Sequence, residues 1–404
     1  MKRYYILAMM AAASVAALAQ DYTDAERFSR IESYGSARSQ AMAGAFGALG
    51  ADFTSAQINP AGIGVYRASE IGMTLGVNTN NIVTKTPRDL GPREDRGTYV
   101  SGNQFGVVFS SQRIRQESGI AGHSFALSYT KTADYDRMFT LRNRNMKNSL
   151  MDFFIGDDRA QNAYEADLAW DAEMLFGSYF DTDPETGDEY EVVIDHNGWE
   201  YPYESDDLSE ILFDNGMRVN SDNTGKIDGR RHFKDKGSKG QISFAYSQNI
   251  ANKVYWGVNM GVETYSFKRE LTHSEFYNGT PEYECPDYFH YTANLKQDGT
   301  GINFGAGVIY LPMPALRLGV AVHSPTFIKI NEDYETSFQA GKEATQWSPF
   351  SEVEYKFTAP ARMVLSAAGK LRRNKRSEKS ITCIYSAAVD SAAPNELESP
   401  SCME

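Results

Sequence analysis

Val254-Tyr255-Trp256-Gly257-Val258-Asn259-Met260-Gly261-Val262-Glu263 is the stretch on which the fold turns. Its even positions are Val, Trp, Val, Met and Val; its odd positions are Tyr, Gly, Asn, Gly and Glu. A period of two is a strand. A soluble sandwich hides large apolar residues on its inner face. Here one face is greasy and the other is small and polar. Over about ten residues, that alternation is the pattern of a tilted strand facing lipid outward and a polar interior inward.

The same alternation recurs along the chain. It runs through Ile71, Met73, Leu75 and Val77, then Phe105, Val107 and Phe109, then Phe125, Leu127 and Tyr129. It continues in Ile242, Phe244 and Tyr246, then Ile302, Phe304, Ala306, Val308 and Tyr310, then Leu316, Leu318, Val320 and Val322. Val353, Tyr355 and Phe357 follow, with a weaker Met363, Leu365 and Ala367. Each segment is expected to be about 9–11 residues long. Tyr99, Tyr129, Tyr246, Tyr265 and Tyr310 stand near segment ends and suit aromatic girdles.

Connection lengths alternate. Long connections are expected at about 80–102, 132–236, 270–298 and 331–350. Short ones are expected at Arg113–Gly119, Asn249–Asn252, Pro312–Pro314 and Thr358–Pro360. Outer-membrane barrels segregate loops in this way, with long ones outside the cell and short turns in the periplasm. The longest connection is acidic: residues 151–215 hold 20 Asp and Glu against one basic residue, Arg159. Helical spacing of Tyr164, Leu168 and Leu175 predicts a helix over 162–180 in it. Asp181-x-Asp183-x-Glu185 looks briefly like a calcium loop, but Gly187 is one place late and Val192 stands where the twelfth-position Glu belongs.

Composition agrees. The 404 residues carry 24 Tyr, 22 Phe and 4 Trp, too many aromatics for a disordered chain. Mean hydropathy is −0.48, and no internal run of about 18 apolar residues could form a spanning helix. A net charge of −13 argues against nucleic acid as a partner. Cys285, Cys383 and Cys402 make neither a disulfide framework nor a zinc site. Lys2 and Arg3, the apolar run Ile6–Leu18 and Ala17-Leu18-Ala19 form a secretory signal peptide over residues 1–19. The expected fold is therefore all-β, an antiparallel transmembrane β-barrel in the cell outer membrane, with the strands over 67–370.

Residues 20–66 precede the first strand. The stretch 33–66 is rich in small residues, among them Gly35, Ala41, Gly44, Ala45, Gly47 and Gly50, followed by Asn59-Pro60-Ala61-Gly62. Small residues pack tightly in a confined space, as a plug inside a barrel would. Ser33-Tyr34-Gly35-Ser36-Ala37-Arg38, Ala41-Met42-Ala43-Gly44-Ala45-Phe46 and Asn59-Pro60-Ala61-Gly62 resemble the N-terminal hatch of the FadL/TodX family, outer-membrane channels for long-chain fatty acids and other hydrophobic compounds. Leu316-Arg317-Leu318-Gly319-Val320-Ala321-Val322-His323-Ser324-Pro325-Thr326 and Thr358-Ala359-Pro360-Ala361-Arg362 are similar to late strands of that family.

The resemblance implies passive uptake. A hydrophobic ligand would land on extracellular loops, move to a lumenal pocket and leave through the wall once the hatch shifts. It assigns Asn59, Pro60 and Ala61 to the hatch; ligand-contact residues are not assigned. The implied partners are fatty acids or similar small molecules, outer-membrane lipid and the barrel-assembly machinery.

Three alternatives are weighed. An enzyme is not expected, because His123, His196, His232, His273, His290 and His323 sit in no catalytic motif, and no cofactor is expected. His123 and His323 have a strand parity that suits polar lining of the lumen or rim. A haem receptor would use Cys285, His290 and the nearby Tyr283, Tyr288 and Tyr291. A structural or adhesive barrel would work through the acidic loop. Finally, nine segments are an odd number, whereas the family has fourteen strands, so an incomplete barrel is expected. Residues 371–404 depart from the pattern: Lys370–Lys379 is basic, Ile381–Ala388 makes at best one short strand, and Ser391–Glu404 reads as disordered.

Overall fold

The computed structural model describes residues 22–32, 34–86, 92–113, 118–146, 148–154, 168–169, 172, 174–182, 189–194, 212–215, 227–278, 286–342, 344–372 and 380–390. Residues 1–19, expected to be a signal peptide, Cys285 and the tail from 391 onward lie outside them.

Period-two segments become a curled half-barrel of antiparallel strands. Strand β1 (Glu70–Thr84) pairs with β2 (Arg93–Gln112), which pairs with β3 (Ile120–Asp134). The chain continues as β4 (Arg137–Met146). After the acidic region come β8 (Ile227–Ile250), β9 (Val254–Tyr277) and β10 (Tyr288–Met313), each paired along nearly its whole length with the next. Then follow β11 (Leu316–His323) and β12 (Thr326–Ala340), both against β10, the two-residue β13 (Gln346–Trp347) against β12, and later β14 (Ser351–Ala359), β15 (Arg362–Arg372) and β16 (Ser380–Asp390). The main strand path runs from β1 at one edge to β16 at the other.

Several expectations are corrected. The strands are longer than one bilayer crossing: β8, β9 and β10 run 24, 24 and 26 residues. The polar stretches taken for loops at 80–102, 270–298 and 331–350 are largely strand: β1 runs to Thr84 and β2 starts at Arg93, β9 runs to Tyr277 and β10 starts at Tyr288, and β12 runs to Ala340. A ladder bonds main chain to main chain, so it continues after the outward side chains turn polar.

The turn expected at Thr358–Pro360 does not reverse the chain. β14 pairs with β12 and β15 with β11, so the two are one strand path broken at Pro360, opposite the break at Ser324-Pro325. Proline cannot donate to a ladder, and both breaks carry one. β14 also faces the other way from the expectation. Tyr355 and Phe357 turn inward against Phe28, with ring centroids 6.4 and 5.3 Å away, and Glu352, Glu354 and Lys356 are exposed. Tyr265 is likewise an inner residue, 4% exposed, whereas Tyr246 stacks edge-on with Trp256 on the outer face.

In the acidic region, helix is described only at Leu168–Ala169 within 162–180. Leu175–Thr182 (β5) is instead the centre of a three-stranded sheet with Glu189–Ile194 (β6) and Leu212–Asn215 (β7). Its aromatic Phe176, Tyr179 and Phe180 favour strand. The tail holds an eleven-residue strand, β16, where a shorter one at most was expected.

Tight reversals remain between β8 and β9 and between β10 and β11, but the first expected long connection is hardly longer than the short one after it, with eight residues between β1 and β2 and seven between β2 and β3. The tight turn at the end of β8 joins Ile250 to Val254 through three residues, two of them left-handed, Ala251 at φ 53° and Asn252 at φ 55°, and the Lys253 amide closes it on the Ile250 carbonyl at 3.0 Å. Asn249 braces it, its Oδ1 accepting from the Asn252 amide at 3.0 Å.

The outer face carries the apolar belt, with Leu75, Val100, Phe109, Phe125, Phe304 and Val322 all exposed. On the concave face lie α1 (Tyr22–Ser29), α2 (Ala37–Ala41), α3 (Ser55–Ile58) and a 3-10 helix, Pro60–Val65.

Candidate functional site

The sequence-chosen residues come together at the wall. Asn59 caps the 3-10 helix, its Oδ1 accepting from the Ala61 amide at 3.1 Å. This is the cap that the residue type favours, followed by proline at the first helical position. The Asn59 Nδ2 donates to the Gly47 carbonyl at 2.7 Å and reaches the Val308 carbonyl of β10 at 3.4 Å. Asn59 is 1% exposed and Ala61 fully buried, against Tyr255 and Ile309. The Ala61 carbonyl accepts from Ser247 Oγ at 3.2 Å.

The small inner face of the strands is what lets this segment approach. A Cβ on Gly257 would stand 2.6 Å from the Pro60 carbonyl group. One on Gly319 would stand 2.5 Å from the Gly47 carbonyl oxygen, and one on Gly307 would run into the Asn59 amide oxygen. Three wall glycines on three adjacent strands therefore make the seat. His323 belongs here too: its Nε2 lies 3.1 Å from the Ile58 carbonyl. His123 instead sits exposed on the outer face beside Tyr246.

A second anchor, unforeseen in the sequence, holds α1 higher up. Arg27 pairs with Asp24 at 2.7 Å and donates to Gln297 Oε1 at 2.8 Å. Gln297 in turn donates to Asp24 and Glu332, at 2.9 and 2.6 Å. Arg27 stacks over Phe267 at 3.7 Å, and Lys239 donates to the Phe28 carbonyl at 2.7 Å while pairing with Glu263 at 3.0 Å. Buried charges need such partners. Beside α1 opens a polar cavity of about 870 Å³, bordered by Arg30, Tyr34, Asn80, Asp136 and Arg269. Burial and the adjacent Glu32 push the Tyr34 hydroxyl pKa well up, so it stays protonated.

Nearer the long-loop end, a cavity of about 490 Å³ is lined by Met146, Ser149, Leu150, Arg231, His273 and Glu275. Glu275 is 1% exposed and accepts from Ser149 Oγ at 2.5 Å, from the Leu150 amide at 2.8 Å and from His273 Nε2 at 2.7 Å. Arg231 donates to His273 Nδ1 at 3.2 Å, which fixes the neutral tautomer with its proton on Nε2. The Ser149 hydroxyl bonds the carboxylate and not the imidazole, so the trio lacks a serine–histidine relay. An apolar cluster of Met151, Phe154, Leu168, Met174, Phe289 and Phe338 roofs this level.

The haem set is divided. His290 bonds Ser274 at 2.7 Å on the outer face near Tyr288, while Tyr291 is buried in the inner cluster. Cys285 and Tyr283 lie outside the described residues. Among the described residues, no group of three His, Cys, Asp or Glu is placed to hold a metal ion. Comparison with protein-family models, curated proteins and solved structures finds no match for this chain.

Proposed function

We propose that this chain is the wall and hatch of an outer-membrane β-barrel that takes up long-chain fatty acids or other hydrophobic compounds, as the resemblance to the FadL/TodX family implies. The observation that carries the reading is the seating of Asn59-Pro60-Ala61 on wall glycines behind an outward apolar belt. A segment held by caps and short contacts in a glycine seat can shift without breaking a strand ladder. The 490 Å³ cavity below an apolar roof is a resting place for a ligand with a polar head, with Arg231 at its wall.

A reversible lock tests this. A Cβ built on Gly47 lies 3.1 Å from Ser366 Cβ, close to the roughly 3.5–4.5 Å of a disulfide. With Cys285, Cys383 and Cys402 changed to Ser, Gly47→Cys with Ser366→Cys should block uptake of a labelled long-chain fatty acid when oxidised and restore it on reduction. Equal uptake in both states, with the bond verified by mass, overturns the gating role.

A further inference from the structure

On the outer face, well above the apolar belt, three lysines stand in one straight row across three strands. Lys236 of β8 is directly opposite Lys268 of β9, and Lys268 is directly opposite Lys296 of β10. Like charges placed directly across a ladder repel. Neighbouring strands are about 4.8 Å apart, so the three side chains start within about 10 Å of one another. Lys296 has its own carboxylates, Asp333 at 2.9 Å and Asp298 at 3.3 Å. Glu270, the next acid on β9, is taken by Lys234 at 2.8 Å. Lys236 and Lys268 are exposed and have no ion pair among the described residues. These lysines border one surface groove of about 350 Å³, which the exposed ring of Phe350 also lines; Lys234 and Arg269 add to its positive charge, and Glu270, Asp333 and Glu335 offset only part of it.

The height of the row identifies what it faces. The last apolar row toward the long-loop end is Ile242, Val262 and Ile302, in register across the same strands. The lysines lie six residues further along each strand. At about 3.3 Å per residue and a tilt of about 40°, that is roughly 15 Å beyond the hydrocarbon. The intervening rows are Gly240, Thr264 and Thr300, then Ser238, Ser266 and Asp298, mostly small and able to lie against sugar. Gly237 fixes the local register: at φ 137° its amide donates to Asp136 Oδ1 at 2.8 Å, which binds β8 to the β3–β4 corner.

We infer that Lys236 and Lys268, backed by Lys296, form a binding site for a phosphate group on the sugar head of an outer-leaflet glycolipid. This rests on the outer-membrane reading above and adds a lipid partner to it. The acyl chains would lie along the belt below, and the phosphate would relieve the repulsion that the protein leaves uncompensated. Clustered lysines beside a lipid surface attract anionic head groups in this way.

Native mass spectrometry of the full chain folded in detergent gives the test, with bis-phosphorylated lipid A as probe and its dephosphorylated form as control. Lys236→Gln with Lys268→Gln should weaken retention of the phosphorylated form about 30-fold. Lys253→Gln, at the tight turn at the other end of β8 and β9, should retain it as the parent does. Retention by Lys236→Gln with Lys268→Gln equal to that of the parent, or equal retention of the dephosphorylated form by the parent, overturns the site. Fatty-acid uptake is scored separately in the same variants. Phosphate-dependent retention without any uptake by the parent would sink the transport reading and leave the lipid site standing.

Discussion

Replacing Asn59 with alanine removes the keystone of the glycine seat while touching no strand ladder. Two effects dominate. The cap on the Ala61 amide is lost, at about 1 kcal/mol. The buried Gly47 carbonyl loses its 2.7 Å donor, at about 1–3 kcal/mol. The 3.4 Å approach to Val308 is at the long limit and adds little. Together they come to about 2–4 kcal/mol, so the released population of this segment should rise roughly 30- to 700-fold. Hydrogen exchange of peptides covering 47–65 in the folded, detergent-solubilised protein measures it directly. Exchange there should accelerate by that factor, while β9 and β10 keep their protection. Asn59→Asp should give part of the effect, because it keeps an acceptor for Ala61 and loses the donor to Gly47. Unchanged exchange in 47–65 for Asn59→Ala refutes the reasoning, because the seat would then be held by shape alone.

Gly257→Val should displace the 3-10 helix, because the new Cβ meets the Pro60 and Ala61 backbone at 2.6 and 2.8 Å. The expected cost is about 1–3 kcal/mol, read as raised exchange in 57–66, whereas Gly97→Ala, with nothing within 4 Å, should change nothing there. Protease shaving of intact cells should cut within 147–226 and 278–287 and spare the Ala251–Lys253 turn. Cleavage at that turn with protection of the other two would invert the orientation.

Much of the strand pattern was legible because a sheet face is written in every second residue. Val254 to Val262 shows its greasy face without any knowledge of its neighbours. Asn59-Pro60 was legible because capping is local: the acceptor and the amide it serves are two residues apart. Strand length was not, because Glu270 or Asn294 looks like loop until the register shows a partner strand beside it. Nor was the direction of Tyr355 and Phe357, whose alternation marks a face but not which side Phe28 occupies.

The Arg27–Gln297–Glu332 anchor spans 270 residues of sequence from Arg27 to Gln297, and the Lys236–Lys268–Lys296 row exists only once three strands are in register. Sequence alone determined the period and the small-residue segment. Tertiary structure decided which strands adjoin, what the glycines make room for and which charges meet. Hydrophobic alternation and caps act within a few residues, whereas pairing and burial act between residues that only the folded chain brings together.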